Sequence, residues 1–512
     1  MKKALFMNAL IITGTSLLFN TVGISFRVFV SNKIGAEGMG LFQLIISIYM
    51  MAAIFVVAGI NIAITRLVAE EGGRGSFSIS RALLKKVFSL SFFYSIPAFV
   101  FLFFGAEYIG TVWLHDERTI FSLEILAVSM PFMGISSCIK GYFYAVSKII
   151  RPVSSQALET AIQIFVILYM LDDLMAMGLE YACAAIVIGT TVSEIASCFY
   201  ILMLYKFECM KNNKTSSNTF QKKGISKKLL YISLPISISA LMRSGLKAVE
   251  NIMIPMAFEK YGYTKTVSLE KYGMIHGMVM PIIAFPASLL VAFSTLLIPE
   301  VSEANALNHN RRIHYSVSRV LQLTSMMSFL ITGLFILFSE ELGLAIYNNI
   351  EIGIMMKALA PLIPFMYLDM VVDGLLKGLN QQVSALKYSV LDSIFRIVLI
   401  YSLIPMKGVI GFIIVMYGSN ILNTTLSICR LLKVTQIKMK FMDWIMKPIL
   451  SVTASGFITI FLLKSIDLDY FSLGIYVTIG IILVSILYLF FLMQLDCLTK
   501  DDIRWFKNIL KY

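Results

Sequence analysis

MGLFQLIISIYMMAAIFVVAGINIAIT, residues 39–65, runs for 27 positions without one charged side chain. A membrane-spanning α-helix needs about 20 apolar residues to cross a hydrocarbon core roughly 30 Å thick. Lipid offers no water to exposed backbone groups, so a run of this kind reads as a spanning helix. Working outward, similar runs fill the 512-residue chain, near 8–30, 84–105, 119–145, 153–171, 179–205, 229–257, 272–299, 317–339, 354–376, 386–405, 408–430, 445–464 and 471–494. With 39–65 they predict about fourteen transmembrane helices. Hydrophobic residues make up 58% and charged residues 14%, outside the range of a water-soluble domain. The fold class expected is an all-α integral membrane protein.

A net charge of +13 invites a nucleic-acid reading, and its distribution argues against one. With the N-terminus placed in the cytoplasm, the inward segments hold 31 of the 43 Lys and Arg and the outward loops 8. The remaining four, Arg27, Arg243, Lys247 and Arg396, lie within predicted spans. This is the positive-inside signal for orientation, with both termini cytoplasmic. A nucleic-acid partner needs a contiguous basic face, and none is present. Lys2 and Lys3 followed by an apolar run resemble a secretory leader. No small-x-small site follows, so this stretch is expected to stay as the first helix. The six cysteines are scattered without a CxxC pair, which argues against a disulfide framework or a metal site.

The chain also repeats itself. Lys140-Gly141 is followed by Val146-Ser147, and Lys377-Gly378 at the same spacing by Val383-Ser384. Each is followed by a span that opens with an acid, Glu159 in one and Asp392 in the other. The ends of the second and eighth spans, Ile64–Glu70 and Ile298–Glu303, form another weak pair. Together these predict two homologous six-helix lobes around a central cavity, 1–205 and 229–432. A basic cytoplasmic linker, 206–228, would join them, and 433–512 would add two helices and a tail. An even number of spans per lobe keeps both repeats in the same orientation, related about the membrane normal.

Three stretches carry a family resemblance: IGAEGMGLFQL (34–44), AGINIAITRLVAEE (58–71) and KGYFYAVSKIIRPVSSQALE (140–159), with MVMPIIAFPASLL (278–290) in the eighth span. They resemble the stage V sporulation protein B group. Its members are polysaccharide-transporter relatives of the lipid II flippases within the multidrug/oligosaccharidyl-lipid/polysaccharide superfamily. The resemblance extends through both lobes. It implies a flippase for an undecaprenyl-pyrophosphate-linked saccharide, a peptidoglycan precursor for the spore cortex, in a bacterial cytoplasmic membrane. It also implies that spans 1, 2, 7 and 8 line the cavity. Many relatives carry a second basic residue about two turns before Arg27, where this chain reads Asn20-Thr21.

Charges inside spans are expensive and need a partner or a wet cavity. Cations lining a cavity suit a pyrophosphate, so Arg27, Arg66, Arg243 and Lys247 are the headgroup candidates. For Arg27 the other reading is snorkelling to the interface, and for Arg243 and Lys247 it is compensation by Glu250. Glu250, Asp369, Asp373 and Asp392 are candidates for a coupling Na+ or H+. Asp373 with Lys377 and Asp392 with Arg396 stand at i,i+4, so local pairing is the alternative for them. Glu159 and Glu194 have no such neighbour, leaving a structural hydrogen bond or a coupling role. Pro281 and Pro286 are hinge candidates in the eighth span. No nucleotide-binding, hydrolase or metal motif appears, which favours a transporter over an enzyme and a gradient over ATP. Three alternatives remain open: a Na+- or H+-coupled multidrug extruder with an acid-dominated cavity, a polytopic membrane enzyme, and a scaffold for sporulation or cell-wall proteins.

Overall fold

The computed structural model describes residues 2–72, 81–211, 225–307, 309–465 and 473–498. Among them the architecture is all-helical, without strands. The principal helices are α1 (Lys2–Gly72), α2 (Arg81–Phe104), α3 (Ile120–Ala145), α4 (Ile150–Met175), α5 (Leu179–Lys211), α6 (Ile225–Tyr261) and α7 (Lys265–Tyr272). They continue with α8 (Ala287–Ala306), α9 (Asn310–Tyr347), α10 (Ile350–Leu359), α11 (Ile363–Gly378), α12 (Gln382–Thr435), α13 (Lys447–Ser465) and α14 (Leu473–Gln494).

Nine described helices are long and apolar enough to cross a bilayer, and a bent pair over 88–113 makes a tenth. At about 1.5 Å per residue, α1 with 71 residues and α12 with 54 each exceed one bilayer. Both are bent at a glycine, Gly35 at φ 72° and Gly408 at φ 55°, a left-handed conformation that side chains with a Cβ resist. Each therefore holds two of the predicted stretches. All fourteen stretches fall on helical segments, consistent with the expected count. The bend at Gly35 stands where the sequence predicts a loop, because hydropathy carries no information about φ.

The chain forms two compact units. The amino-terminal unit is Lys33–Met256 with Tyr263–Gly273; the carboxy-terminal unit is Met1–Asn32, Ala257–Gly262 and Met274–Tyr512. These units differ from the sequence-order division into 1–205 and 229–432 at three helices. The first half of α1 belongs to the carboxy-terminal unit, and most of α6 and all of α7 to the amino-terminal one. Hydrogen bonds accompany the placements of α1 and α6. Asn32 donates to the Ile346 carbonyl on α9 at 2.8 Å. On α6, Ser237 donates to Phe55 O at 3.1 Å and Asn251 to Ser47 Oγ at 2.8 Å. Most of the expected 206–228 linker and the tail from 499 lie outside the described residues.

Within the amino-terminal unit, α7 lies backbone to backbone against the second half of α1. A Cβ at Gly40 would collide with the Leu269 carbonyl oxygen, and one at Gly273 with that of Ala36. Close approach through small residues replaces the hydrophobic driving force that lipid does not supply. Part of the IGAEGMG stretch is thus a helix-packing surface.

The duplication is visible in the backbone. α3 ends with Lys148 N–H donating to Phe143 O at 2.9 Å around left-handed Ser147. α11 ends with Gln381 N–H donating to Leu376 O at 2.8 Å around left-handed Asn380. These caps are 233 residues apart, as are Glu159 and Asp392. The two Lys-Gly pairs are 237 apart, so they sit one helical turn out of step with the caps. Val146-Ser147 accordingly forms a turn, whereas Val383-Ser384 opens α12.

Candidate functional site

The second half of α1 holds α6 through Ser47, Phe55 and their partners. On α6, Arg243 and Lys247 stand one turn apart and both are exposed, as are Met242 and Val249. Among the described residues neither cation makes an ion pair or a side-chain hydrogen bond. Glu250, three residues on from Lys247, is buried and has contacts of its own. Across α6 from these cations, Ile48, Met51, Trp113, Gly245 and Ile252 help line an apolar cavity of about 380 Å³.

Arg27 lies in the carboxy-terminal unit, half-buried in the first half of α1 within electrostatic reach of Tyr347. It too has no ion pair among the described residues. Arg66 differs from the other three: its Nε stands 3.1 Å from Glu70 Oε1, an exposed i,i+4 pair. The four cation candidates thus divide into one that is locally neutralised and three that are not.

Three of the four coupling candidates, Asp369, Asp373 and Asp392, lie on α11 and the first half of α12 in the carboxy-terminal unit. Asp373 takes Lys377 Nζ at 2.5 Å. Asp392, buried in the first half of α12, takes Arg396 Nη2 at 2.7 Å and Ser419 Oγ at 2.5 Å. Arg396 Nε donates in turn to Ser419 at 2.8 Å. Asp369 accepts from Asn423 Nδ2 at 2.9 Å and from Ser427, both in the second half of α12. Ser419, Asn423 and Ser427 are residues that the search for charges passes over. Their spacing of four places them on one helical face, a signal legible in GSNILNTTLS at 418–427.

In the amino-terminal unit Lys140 reaches Glu159 Oε2 at 3.3 Å, and Ser197 Oγ donates to the same oxygen at 2.9 Å. Glu194 lies within electrostatic reach of Glu159 and Lys140. Glu159 thus has as partners a serine from α5 and a lysine from α3.

The eighth predicted span, 272–299, is broken around the proline candidates. A π-helical segment, Gly273–Val279, leads into a short helix at Met280–Ala284, and the chain turns at Phe285-Pro286 before α8. Tyr367 bridges this break. Its hydroxyl donates to Ile283 O at 2.7 Å and accepts from the Ala287 backbone. A side chain inserted in the ladder is a recognised cause of a helix kink. His276 lies in the π segment with its ring edge-on to Phe412, 5.6 Å between centroids.

Comparison with known proteins bears on the fold and the family. Stage V sporulation protein B of Bacillus subtilis (strain 168) is 23% identical over 517 residues, covering 98% of each chain. The lipid II flippase MurJ of the same organism is 19% identical, covering 81% of this chain and 80% of that one. Among solved structures, a lipid II flippase MurJ in an inward closed conformation matches with a TM-score of 0.69 at 14% identity, covering 95% and 97%. An inward-facing MATE multidrug transporter matches at 0.64 and 13%, covering 85% and 100%. The two solved structures establish the fold as that of multi-pass membrane transporters. The family of polysaccharide biosynthesis proteins matches residues 5–305, more than half of the sequence and including the cation-bearing α6, and the chain belongs to that family.

Proposed function

We propose that this protein is a flippase that carries an undecaprenyl-pyrophosphate-linked saccharide, a peptidoglycan precursor for the spore cortex, across a bacterial cytoplasmic membrane. The observation that carries the reading is the state of the charges. Arg243 and Lys247 are exposed and without anionic partners among the described residues, while Asp373 and Asp392 are already neutralised by Lys377 and Arg396. Free cations with satisfied acids suit an anionic passenger, since Arg binds a pyrophosphate through paired donors and Lys as a point charge. An extruder of cationic drugs needs the reverse. The names of the stage V sporulation protein B and lipid II flippase relatives support the same substrate class.

The lipid tail stays in the bilayer while the headgroup crosses by alternating access, with no covalent step. Work comes from the membrane potential or from a Na+ or proton gradient. One charge moved through 100 mV supplies about 2.3 kcal/mol. Asp369, held by the neutral side chains of Asn423 and Ser427, is the carboxylate best placed to exchange a coupling ion. Both termini are assigned to the cytoplasm on the distribution of Lys and Arg.

The test is headgroup translocation in liposomes containing the full-length protein and a lipid-linked disaccharide-peptide precursor. A potential is imposed, with or without a Na+ or pH gradient. Arg243→Ala and Lys247→Ala should each reduce flipping about tenfold or more with normal insertion, and Arg27→Ala should do likewise. Flipping unchanged in all three would remove the cationic site. Uptake of a cationic dye without precursor movement would turn the assignment to a drug antiporter.

A further inference from the structure

One end of the carboxy-terminal unit holds a cavity of about 750 Å³ between the start of α9, the stretch after α12, the start of helix 13 and the turn after α14. Arg311, His314 and Arg319 line it from α9, and Lys438 and Lys440 from the stretch after α12. Two acids share the wall, Asp443 and Asp496, and Asp443 is taken by Lys447 at 2.6 Å. Arg311, Lys438 and Lys440 are exposed and have no ion pair or side-chain hydrogen bond among the described residues. One side of the cavity is fixed in advance. Arg319 donates to Gln322 Oε1 at 2.9 Å and lies over the Tyr315 ring at 5.7 Å, and Gln322 donates to the Cys497 carbonyl at 3.0 Å.

The surroundings of the two lysines indicate what the cavity faces. Met439, Phe441 and Met442 follow or alternate with them and are 47%, 53% and 61% exposed. Met493 and Leu495, at the end of α14, are exposed beside them in sequence to Asp496. Exposed apolar side chains interleaved with Lys at helix ends mark the level where hydrocarbon meets headgroups. A basic pocket between helices at that level is suited to an acidic lipid headgroup.

We propose that this pocket binds the phosphate headgroup of an anionic membrane phospholipid, whose acyl chains lie along the exposed Met439–Met442 flank. The site is separate from the cations of α6 and independent of the passenger. It needs the segments on either side of α13 and α14, which gives the two helices beyond the repeated lobes a task.

The test uses delipidated full-length protein in detergent, offered phosphatidylglycerol, phosphatidylcholine or inorganic pyrophosphate. Bound lipid is read by native mass spectrometry and stabilisation by thermal melting. Phosphatidylglycerol should be retained about tenfold over phosphatidylcholine, and the preference should shrink with salt. The triple variant R311Q/K438Q/K440Q should lose the preference, and K407Q/K464Q, exposed lysines elsewhere, should keep it. Equal retention of both lipids by the unaltered protein, or an undiminished preference in the triple variant, overturns the proposal. Stabilisation by pyrophosphate equal to that by phosphatidylglycerol overturns it in favour of a soluble phosphate. Should the triple variant fold poorly, Lys438→Gln and Lys440→Gln singly decide the matter against Lys464→Gln.

Discussion

Lys140 and Lys377 each precede a glycine near the end of a helix, one in each unit, and the two units balance them differently. Lys140 on α3 is answered from the next helix, by Glu159, and Glu159 is held from a third helix by Ser197. Lys377 on α11 is answered by Asp373 one turn back on its own helix, and Asp392 on α12 by Arg396 one turn on. The first arrangement ties three helices together. The second balances each charge within its helix, so the helices can shift without uncovering a bare charge. For a transporter that distinction matters, because a charge bared in lipid is heavily penalised.

The most severe way to break the comparison is to strip one partner from the self-contained unit. Asp392→Leu takes the carboxylate from the half-buried Arg396, and should cost about 3 kcal/mol in thermal stability. Asp392→Leu with Arg396→Leu should recover most of that, because both charges are gone. A double variant as damaged as the single would show that Asp392 is held from elsewhere and that the balance is not internal.

The lysines themselves sharpen the contrast. Lys140→Met should cost about 1–3 kcal/mol, since Glu159 is left largely buried with a single serine donor. Adding Glu159→Gln should restore part of the loss. Lys377→Met should cost less than about 1 kcal/mol, as its pair is nearly half exposed. Equal melting shifts for the two lysine variants would erase the distinction between tied and self-contained helices.

Outside the spans, both units carry ties between segments. In the amino-terminal unit Arg118 bonds Asp116 at 2.8 Å and Glu37 at 2.9 Å, with Lys265 from α7 3.3 Å from Asp116. In the carboxy-terminal unit the exposed Lys357–Glu340 pair at 2.8 Å links α10 to α9. Burial by itself raises the Asp116 carboxyl, but the Arg118 hydrogen bonds and the charges of Arg118 and Lys265 outweigh it and hold it below its ordinary 3.8. A lowered folded value means stability that is present above pH 3.8 and lost as the pH falls through the folded value. Acid below that range should loosen the tie between α7 and residues 116–118. Asp116→Asn should show the same loosening at neutral pH, at about 1 kcal/mol. Hydrogen exchange over 110–120 and 263–272 would read both.

How much of this was legible in the sequence depends on whether the partner is local. Asp373 with Lys377 and Asp392 with Arg396 follow from spacing alone, and the same i,i+4 rule points from Arg66 to Glu70. Ser197, 38 residues from Glu159, is brought to it only by packing. Lys247 and Glu250 stand at i,i+3, a spacing that permits contact, yet one is exposed and the other buried, which spacing alone does not tell. The spans were legible because a run such as 39–65 tolerates one reading. The assignment of α6 to the amino-terminal unit was not, because it rests on Ser47 and Phe55 finding Asn251 and Ser237 across about 200 residues of sequence.

The smallest effect tests the duplication itself. Thr65 donates to Gly141 O at 3.0 Å, and Ser302 donates to Gly378 O at 3.0 Å, the same contact 237 residues on. The two hydroxyls are not equally committed. Thr65 also has the Asn61 carbonyl at 2.8 Å and the Asn61 side-chain oxygen at 3.4 Å on its own helix, so its single proton is divided among three acceptors. No second acceptor is recorded for Ser302 among the described residues. Ser302→Ala should therefore lower the melting stability by about 0.5–1.5 kcal/mol, and Thr65→Val by less. The reverse order would mean that the bond to Gly141 dominates over the local one, and that the repeated contact, rather than the helix carrying it, is what the amino-terminal unit depends on.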